Sequence, residues 1–339
     1  MKVIRTRLLL ILAVSLVILA GYGCSEEELI EPDPPVDPVW ERIQGIESGA
    51  VSDMQFDSQD NLFVLLDSDR KWLYHSPDYG NTWAVTDSVS IDTTYTGRIS
   101  SFCFHGDNLL AGTREGKLFI SDDGGNTFNL LDSIGSSQMM DIRHMATAPN
   151  GNIYAAVYGH AIYRSEDGGQ SWESSGSSIE NKDFTSIEVD SNGRIYLGCW
   201  AGDSYRSTDN AQTWEPLEKI EDYELATITS MEKEGNDLLV CGFTEGFAIY
   251  RGDSNWVIKN AGFPGGNSDL RCMGLTSDGT LYVGTIYDGV YRTNWDEWVW
   301  RPVNDGLALM ELKIISLAID MNDRIYIGTV DNGIWHSIW

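Results

Sequence analysis

Positive charge is scarce in this sequence. Its 339 residues include 23 lysines and arginines against 51 aspartates and glutamates, which gives a formal net charge of −28 at pH 7. A surface with this charge repels phosphate groups. The composition therefore disfavours nucleic acid and anionic lipid headgroups as partners.

Cysteine and histidine are also scarce, with five of each. The histidines are scattered and show no metal-ligand spacing, so we expect no metal and no cofactor. Cysteines after the first 30 residues fall at positions that neighbouring repeats keep too far apart for an unstrained disulfide. We therefore expect four free buried thiols, at Cys103, Cys199, Cys241 and Cys272.

Long hydrophobic runs are missing after residue 20. The one apolar run, Leu8 to Ala20, follows Lys2, Arg5 and Arg7 and is too short to span a bilayer comfortably. This order is typical of a cleaved export signal. Loss of its three cations would leave 20 basic and 51 acidic residues, a net charge of −31.

The small residues before Cys24 resemble the lipobox of bacterial lipoproteins, although Gly21 stands where leucine is usual. The following "CSEEE" resembles signals that send lipoproteins to the outer surface in some Gram-negative phyla. These resemblances imply a signal peptide over residues 1–23, a lipid on Cys24 as the only membrane attachment, and an outer-membrane, cell-surface location. A periplasmic or secreted location is the alternative. Residues 24–38 are acidic and rich in proline, which predicts an extended tether.

The rest of the chain is built from a repeat of 42 to 45 residues. Each repeat holds four short β-branched or aromatic runs separated by Asn, Asp and Gly turns, which is typical of a propeller blade. The repeats align on an aromatic anchor at Trp40, Trp83, Phe128, Trp172, Trp214, Trp256 and Trp300. We predict first strands beginning near Val51, Ile99, Ile142, Thr185, Thr227, Leu270 and Ile314.

The seventh repeat ends without a fourth strand. A matching segment, "VWERIQGI" (Val39 to Ile46), lies at the other end of the chain and resembles "WEPLEKI" of repeat four. Pairing of the two chain ends would remove the open edge of the ring. The sequence therefore predicts an all-β fold, a single seven-bladed β-propeller over residues 39–339 with four-stranded antiparallel blades, closed by the N-terminal strand. We expect a monomer.

Four repeats share the pattern Ser-x-Asp-x-Gly-x-Thr-Trp with small departures. Its members are Ser76, Asp78, Gly80 and Trp83, then Ser121, Asp123, Gly125 and Phe128, then Ser165, Asp167, Gly169 and Trp172, and finally Ser207, Asp209 and Trp214. Short Ser and Asp oxygens bond nearby backbone N–H groups, which predicts a structural turn. Each anchor is expected to pack beside the next blade. Calcium binding is the alternative, but five spaced ligands are absent.

This pattern resembles the Asp-box, or BNR repeat, of sialidases, sortilin-type receptors, xyloglucanases and photosystem assembly factors. The resemblance implies that the turns join third and fourth strands, on the face opposite a ligand site. The segments "TLYVGTIYDGVYRT" and "RIYIGTVDNGIWHS" also resemble the two-component-regulator propeller repeat of extracytoplasmic sensors.

Loops joining second and third strands share the predicted ligand face. Four successive blades present an aromatic residue near a polar one there, which suits sugar stacking or a peptide anchor. Packing of these rings against neighbouring loops is the alternative. The candidate ligand-binding residues are Arg114, Tyr158, His160, Trp200, Asp203, Phe243, Glu245, Tyr287, Asp288 and Asp331.

The sequence predicts non-catalytic binding of a glycan or an envelope protein. A glycoside hydrolase is one alternative, with a carboxylate pair drawn from these loops. A sialidase would clamp a carboxylate with arginines such as Arg98, Arg143 and Arg271, the second followed by His144, but its Arg-Ile-Pro motif is missing. An assembly factor for a membrane complex is the other alternative.

Overall fold

The structure is a computed structural model that describes residues 37–46, 49–67, 72–86, 98–134, 140–175, 179–218, 227–235, 237–243, 246–251, 255–266, 268–308 and 312–339. The predicted signal peptide, Cys24, most of the tether and Glu245 lie outside these residues. Asp37 to Trp339 form one unit. Within the described ranges no helix is long and apolar enough to cross a membrane.

The described residues form 28 strands in seven four-stranded antiparallel sheets, which confirms the predicted propeller. Blade one contains β2 (Ala50–Phe56), β3 (Leu62–Asp67), β4 (Trp72–Ser76) and β5 (Ala84–Thr86). Blade two contains β6 (Ile99–His105), β7 (Asn108–Thr113), β8 (Lys117–Ser121) and β9 (Asn129–Ser133). Blade three contains β10 (Ile142–Thr147), β11 (Ile153–Val157), β12 (Ile162–Ser165) and β13 (Glu173–Ser175).

The next three blades repeat the same order. Blade four contains β14 (Phe184–Val189), β15 (Ile195–Cys199), β16 (Ser204–Ser207) and β17 (Glu215–Pro216). Blade five contains β18 (Thr227–Glu234), β19 (Asp237–Phe243), β20 (Gly246–Arg251) and β21 (Asn255–Ile258). Blade six contains β22 (Leu270–Leu275), β23 (Leu281–Thr285), β24 (Val290–Thr293) and β25 (Arg301–Pro302). Short 3₁₀ turns cover Trp200–Gly202 and Pro264–Gly266.

The seventh blade joins the two ends of the chain. It contains β26 (Ile314–Ile319), β27 (Ile325–Thr329), β28 (Ile334–Ile338) and the N-terminal β1 (Val39–Arg42). Trp40 is buried, and its indole Nε1 donates a 2.6 Å hydrogen bond to the carbonyl of Val303. β1 ends at Arg42 rather than at the predicted Ile46, because the chain bends at Gly45, whose φ of 96° is readily adopted by glycine.

The hydrophobic core lies between blades. A second strand has a neighbouring blade on each side, so its side chains are buried on both faces. All five residues of β11 are buried, and the same holds for β15, β23 and β27. The near-continuous apolar runs of the sequence therefore mark the second strands.

The four repeated turns are closed by their own side chains. In blade three, Ser165 Oγ donates to Asp167 Oδ1 and accepts from the Gly169 N–H, both at 2.8 Å. Asp167 also accepts hydrogen bonds from the N–H and hydroxyl of Ser171. The same bonds recur in blades one, two and four. In blade four Ala211 replaces glycine yet keeps a φ of 63°.

These turn bonds favour ionised aspartates. Hydrogen bonds from the side chain and then the backbone of Ser171 lower the pKa of Asp167 to about 2. Hydrogen bonds from the backbone and then the side chain of Thr127 lower the pKa of Asp123 to about 2. The carboxylate of a turn aspartate thus already accepts hydrogen bonds from donors of its own loop.

The aromatic anchors pack against the preceding blade, so the expected contact with the next blade is wrong. Trp172 packs in the cluster that contains Leu110 and Leu131 of blade two. It lies on the same face of its sheet as Ile153 and Ala155, which contact blade two as well. Alternation along a strand determines which side chains share a face, but the sequence does not say which neighbour that face meets.

The four described cysteines are buried free thiols, as predicted. Burial raises the pKa of Cys103, Cys199 and Cys241 to about 12, and it raises the pKa of Cys272 as well. Their role is to fill the core between blades.

Candidate functional site

The seven inner strands surround a central cavity of about 440 Å³. Residues from all seven strands line it, together with Asp141 and with Arg114 from the loop after β7. This loop and the start of each inner strand lie at the end of the propeller away from the repeated turns, because strands alternate in direction. We call this end of the cavity the channel mouth.

Every inner strand carries a β-bulge close to its start, between the first and third residues in five strands and between the second and fourth in β2 and β18. A bulge adds one residue that has no partner on the adjacent strand, and it re-aims that side chain. The bulged residues are Ser52, Ser100, Arg143, Thr185, Thr229, Arg271 and Ile315, and all seven line the cavity. The bulges thus build a ring of side chains at the channel mouth.

Hydroxyl groups near the bulges connect neighbouring blades. Ser101 Oγ donates a 2.7 Å hydrogen bond to the carbonyl of Ile142, and Ser316 Oγ donates a 2.6 Å bond to the carbonyl of Val51. Equivalent bonds to the next blade come from Ser100 and Thr229. These bonds fix the spacing of the inner strands around the cavity.

Arg143 is held in place on two sides. Its Nε donates a 3.1 Å hydrogen bond to Asp141 Oδ2, and its Cζ lies 3.5 Å from the ring centroid of Tyr158. Neither terminal amino group of Arg143 has an acceptor among the described residues. We define the Arg143 cluster as Arg114, Asp141, Arg143, His144 and Tyr158.

The second carboxylate oxygen of Asp141 lacks a hydrogen-bond donor among the described residues. Oδ1 is buried and has no hydrogen-bond partner in the described part of the chain. A buried carboxylate oxygen without a donor is costly. Among the described residues, the Arg143 cluster therefore combines N–H donors that have no acceptor with a buried oxygen that has no donor.

Two further titratable groups line the cavity. Burial, with a smaller contribution from the charge of Arg143, lowers the pKa of His144 to about 4, so the imidazole is neutral at pH 7. Burial raises the pKa of Asp53 to about 6, although Gln55 donates a 3.1 Å hydrogen bond to its carboxylate. The cavity therefore combines arginine charges with a neutral histidine and a carboxyl group that titrates near neutrality.

A carboxyl pair occupies the adjacent inner strands β14 and β18. Burial raises the pKa of Glu232 to about 7, and burial followed by the charge of Glu232 raises that of Glu188 well above its usual range. Sequence reasoning missed this pair. The available signal was an acidic residue within an inner strand of each of two successive blades.

Three of the predicted aromatic residues are exposed on the mouth side. Trp200, in the 3₁₀ turn after β15, is 63% exposed, and Tyr287, after β23, is 66% exposed. Tyr158, after β11, is 40% exposed and carries Arg143 on its ring. Trp200 and Tyr287 thus keep most of their surface in contact with solvent.

The predicted polar residues have varied surroundings. Asp203 Oδ2 lies 2.8 Å from Lys182 Nζ, and this carboxylate raises the pKa of Lys182. Asp288 accepts a 2.9 Å hydrogen bond from Ser268, and the His160 ring lies 3.2 Å from the hydroxyl of Tyr163. Four predicted residues remain. Arg114 lines the cavity and Asp331 is exposed. Phe243 ends β19, and Glu245 lies outside the described residues.

The three arginines considered for a sialidase-type clamp are not brought together. Arg143 and Arg271 line the cavity, whereas Arg98 precedes β6, is exposed and is not part of the lining. Arg114 takes part in the lining instead. Among the described residues no group of three or more His, Cys, Asp or Glu side chains is placed to hold a metal ion.

Solved structures with the same fold come from several functional settings. No protein-family model and no curated protein matches the sequence. YCF48 bound to D1 peptide superposes with a TM-score of 0.71 at 15% identity, covering 90% of this chain and 100% of that chain. The extracellular domain of BT4673, a hybrid two-component system from B. thetaiotaomicron, gives 0.69 at 17% identity over 89% of this chain and 40% of that one.

PorZ, a bacterial surface component of the type-IX secretion system of Porphyromonas gingivalis, gives a TM-score of 0.66 at 15% identity, covering 85% of this chain and 46% of that chain. The chain thus spans less than half of BT4673 and PorZ. At these identities the similarity shows a shared propeller fold.

Proposed function

We propose that this chain is an exported lipoprotein whose propeller recognises a glycan or an envelope protein without catalysis. Recognition uses the channel-mouth face, opposite turns of the Asp-box type. The observation that carries the proposal is the exposure of Trp200 and Tyr287, at 63% and 66%, on the side where the cavity opens.

Exposed aromatic rings gain more than other side chains when a ligand covers them. Tryptophan and tyrosine bury a large surface and lose little rotamer entropy, so they dominate many binding sites. Tyr158, Trp200 and Tyr287 follow the second strands of blades three, four and six. One ligand lying across the mouth would contact rings from separate blades.

The proposed location follows from the N-terminal sequence. Lipidation at Cys24 would anchor the protein to the outer membrane, with the acidic tether of residues 24–38 before the propeller. Two propellers of the same fold have names that point to protein partners: YCF48 is named as bound to D1 peptide, and PorZ as a surface component of a secretion system. These names support a protein partner over a glycan.

Binding arrays test the proposal. The soluble form starting near Glu31 would be applied to glycan and peptide arrays, and every glycan hit would be followed by product analysis. Trp200→Ala and Tyr287→Ala are expected to lose retention of the hits. Trp339→Ala is the matched control, because Trp339 is 61% exposed but ends the chain on the side of the repeated turns.

Two outcomes contradict the proposal. If both aromatic variants still retain the array ligands, the binding site lies away from the channel mouth. Release of products from a glycan would replace non-catalytic binding with hydrolysis, and Asp203→Asn and Asp288→Asn would then be tested for loss of turnover with binding retained.

A further inference from the structure

We propose that the Arg143 cluster binds the free carboxylate at the C-terminal end of a peptide. This inference rests on the proposed function, since it specifies the ligand of the same face. In this arrangement the exposed aromatic rings contact the body of the peptide, and the channel mouth binds its C-terminal end.

The first argument is the arrangement of donors. A guanidinium recognises a carboxylate best when its planar fork is fixed and its terminal N–H groups are open. Asp141 and Tyr158 fix Arg143 through its Nε and its π face, and both terminal amino groups remain without an acceptor among the described residues. The fork is therefore preorganised, which lowers the entropy lost on binding.

The second argument is the acceptor beside that fork, for which the described residues supply no donor. Asp141 Oδ1 is buried and lacks a donor in the described residues, while Oδ2 of the same carboxylate is bonded to Arg143. A ligand that fits both features has a carboxylate with an N–H group close to it. The last residue of a peptide has this combination, because its amide N–H is one carbon away from the terminal carboxylate.

The third argument is the distribution of charge. The cavity lining contains Arg114, Arg143 and Arg271 against Asp53 and Asp141, within a chain whose formal charge is −28. Electrostatic complementarity therefore directs an anionic tip into the mouth and disfavours anionic groups elsewhere on the ligand.

The surroundings of the mouth define the preceding residues of the ligand. Asp203, Asp288 and Asp331 lie in loops on the mouth side. We therefore expect a peptide that ends in small neutral residues and carries lysine or arginine upstream. The cavity volume of about 440 Å³ is in the range of ordinary ligand pockets.

The test compares a matched pair of probes on the full mature chain. The probes are acetyl-Lys-Ala-Ala with a free carboxylate and the same peptide with a C-terminal amide, titrated by NMR. The free acid is expected to bind at least about tenfold more tightly than the amide, because it alone makes charge-assisted hydrogen bonds to the guanidinium. Glucuronic acid serves as a carboxylate carried by a sugar.

Arg143→Gln is expected to remove the preference for the free acid. Arg301→Gln is the matched control, since Arg301 is an exposed arginine paired with Glu297 at 2.7 Å and lies outside the cavity lining. If Arg143→Gln fails to fold, Arg114→Gln replaces it, because Arg114 is exposed in a loop. Its substitution is expected to weaken binding of the free acid and not of the amide.

Equal binding of the two peptides would overturn the inference, and so would binding of glucuronic acid without binding of the free-acid peptide. Retention of the free-acid preference in both arginine variants would also contradict it. Array hits that depend on Trp200 while neither peptide binds would leave the proposed function intact and remove only the carboxylate site. A protein that retains neither array ligands nor peptides contradicts both.

Discussion

Ser316 Oγ donates a 2.6 Å hydrogen bond to the carbonyl of Val51, across 265 positions of sequence. Both residues are buried beside the cavity, one in the last inner strand and the other in the first. The bond complements the pairing of β1 with β28, so the ring is closed at its inner rim as well as at its outer edge.

Ser316→Ala is expected to lower the free energy of unfolding by about 1–2 kcal/mol, since it leaves a buried carbonyl without its donor. Urea unfolding followed by tryptophan fluorescence measures the change. Ser174→Ala is the control, because Ser174 lies exposed in the outer strand β13. Equal unfolding midpoints for both variants would show that the inner bond adds nothing to closure.

The turn aspartates predict a loss of stability in acid. The pKa of Asp167 is about 2 in the folded protein against an ordinary value of 3.8. A carboxyl group with a depressed folded pKa stabilises the fold above its unfolded pKa and loses that contribution as pH falls towards the folded value. Asp167→Asn is therefore expected to unfold more easily than wild type at pH 6, with the difference shrinking between pH 4 and pH 2. A constant difference would argue against ionisation as the cause.

Asp53 predicts the opposite pH dependence. The pKa of Asp53 is about 6 in the folded protein, against an ordinary value of 3.8. The stability that the protonated carboxyl group contributes to the fold is therefore fully present below pH 4 and is lost as pH rises through 6. Asp53→Asn is expected to stabilise the protein by roughly 1–3 kcal/mol at pH 7.5 and to have little effect at pH 4. Denaturant titrations at the two pH values measure this. Destabilisation at pH 7.5 would show that the ionised carboxylate is needed in the channel.

The buried thiols predict chemical inertness. Because burial keeps the pKa of Cys103, Cys199 and Cys241 near 12, almost no thiolate forms at pH 8. Iodoacetamide is expected to leave these cysteines unmodified in the native protein and to modify them in 6 M guanidinium, with peptide mapping to report each site. Modification of one cysteine under native conditions would reveal local opening of that blade.

Much of the fold follows from repetition in the sequence. Alternating apolar residues and Asn or Gly turns recur in every repeat, so the inner strands were predicted within a residue of their observed starts, at Val51 against Ala50 and at Thr185 against Phe184. The seventh repeat lacks a fourth strand of its own, and this indicated that the strand containing Trp40 completes the last blade. The local sequence pattern was sufficient to locate the inner strands because every repeat carries the same order of apolar runs and turns.

The candidate site was only partly predictable. Exposure of Trp200 and Tyr287 after second strands was expected from the loop positions. The lining of the cavity depends on a bulge that turns one residue of each inner strand inwards, and neither hydrophobic period nor turn chemistry marks that residue. Asp141 and the pair Glu188 and Glu232 were missed for a different reason, because their burial arises from packing between blades that are distant in the local pattern.

The entry point of the chain has a mechanical consequence. β1 begins at Val39, opposite Ile338, at the end of the blade where third strands reach the side of the repeated turns. Force applied to the chain before Val39 would enter the propeller through β1 and would be carried by its four residue pairs with β28, from Val39 to Arg42. The strand that closes the ring is thus also the strand through which a pull on the N-terminus reaches the other blades.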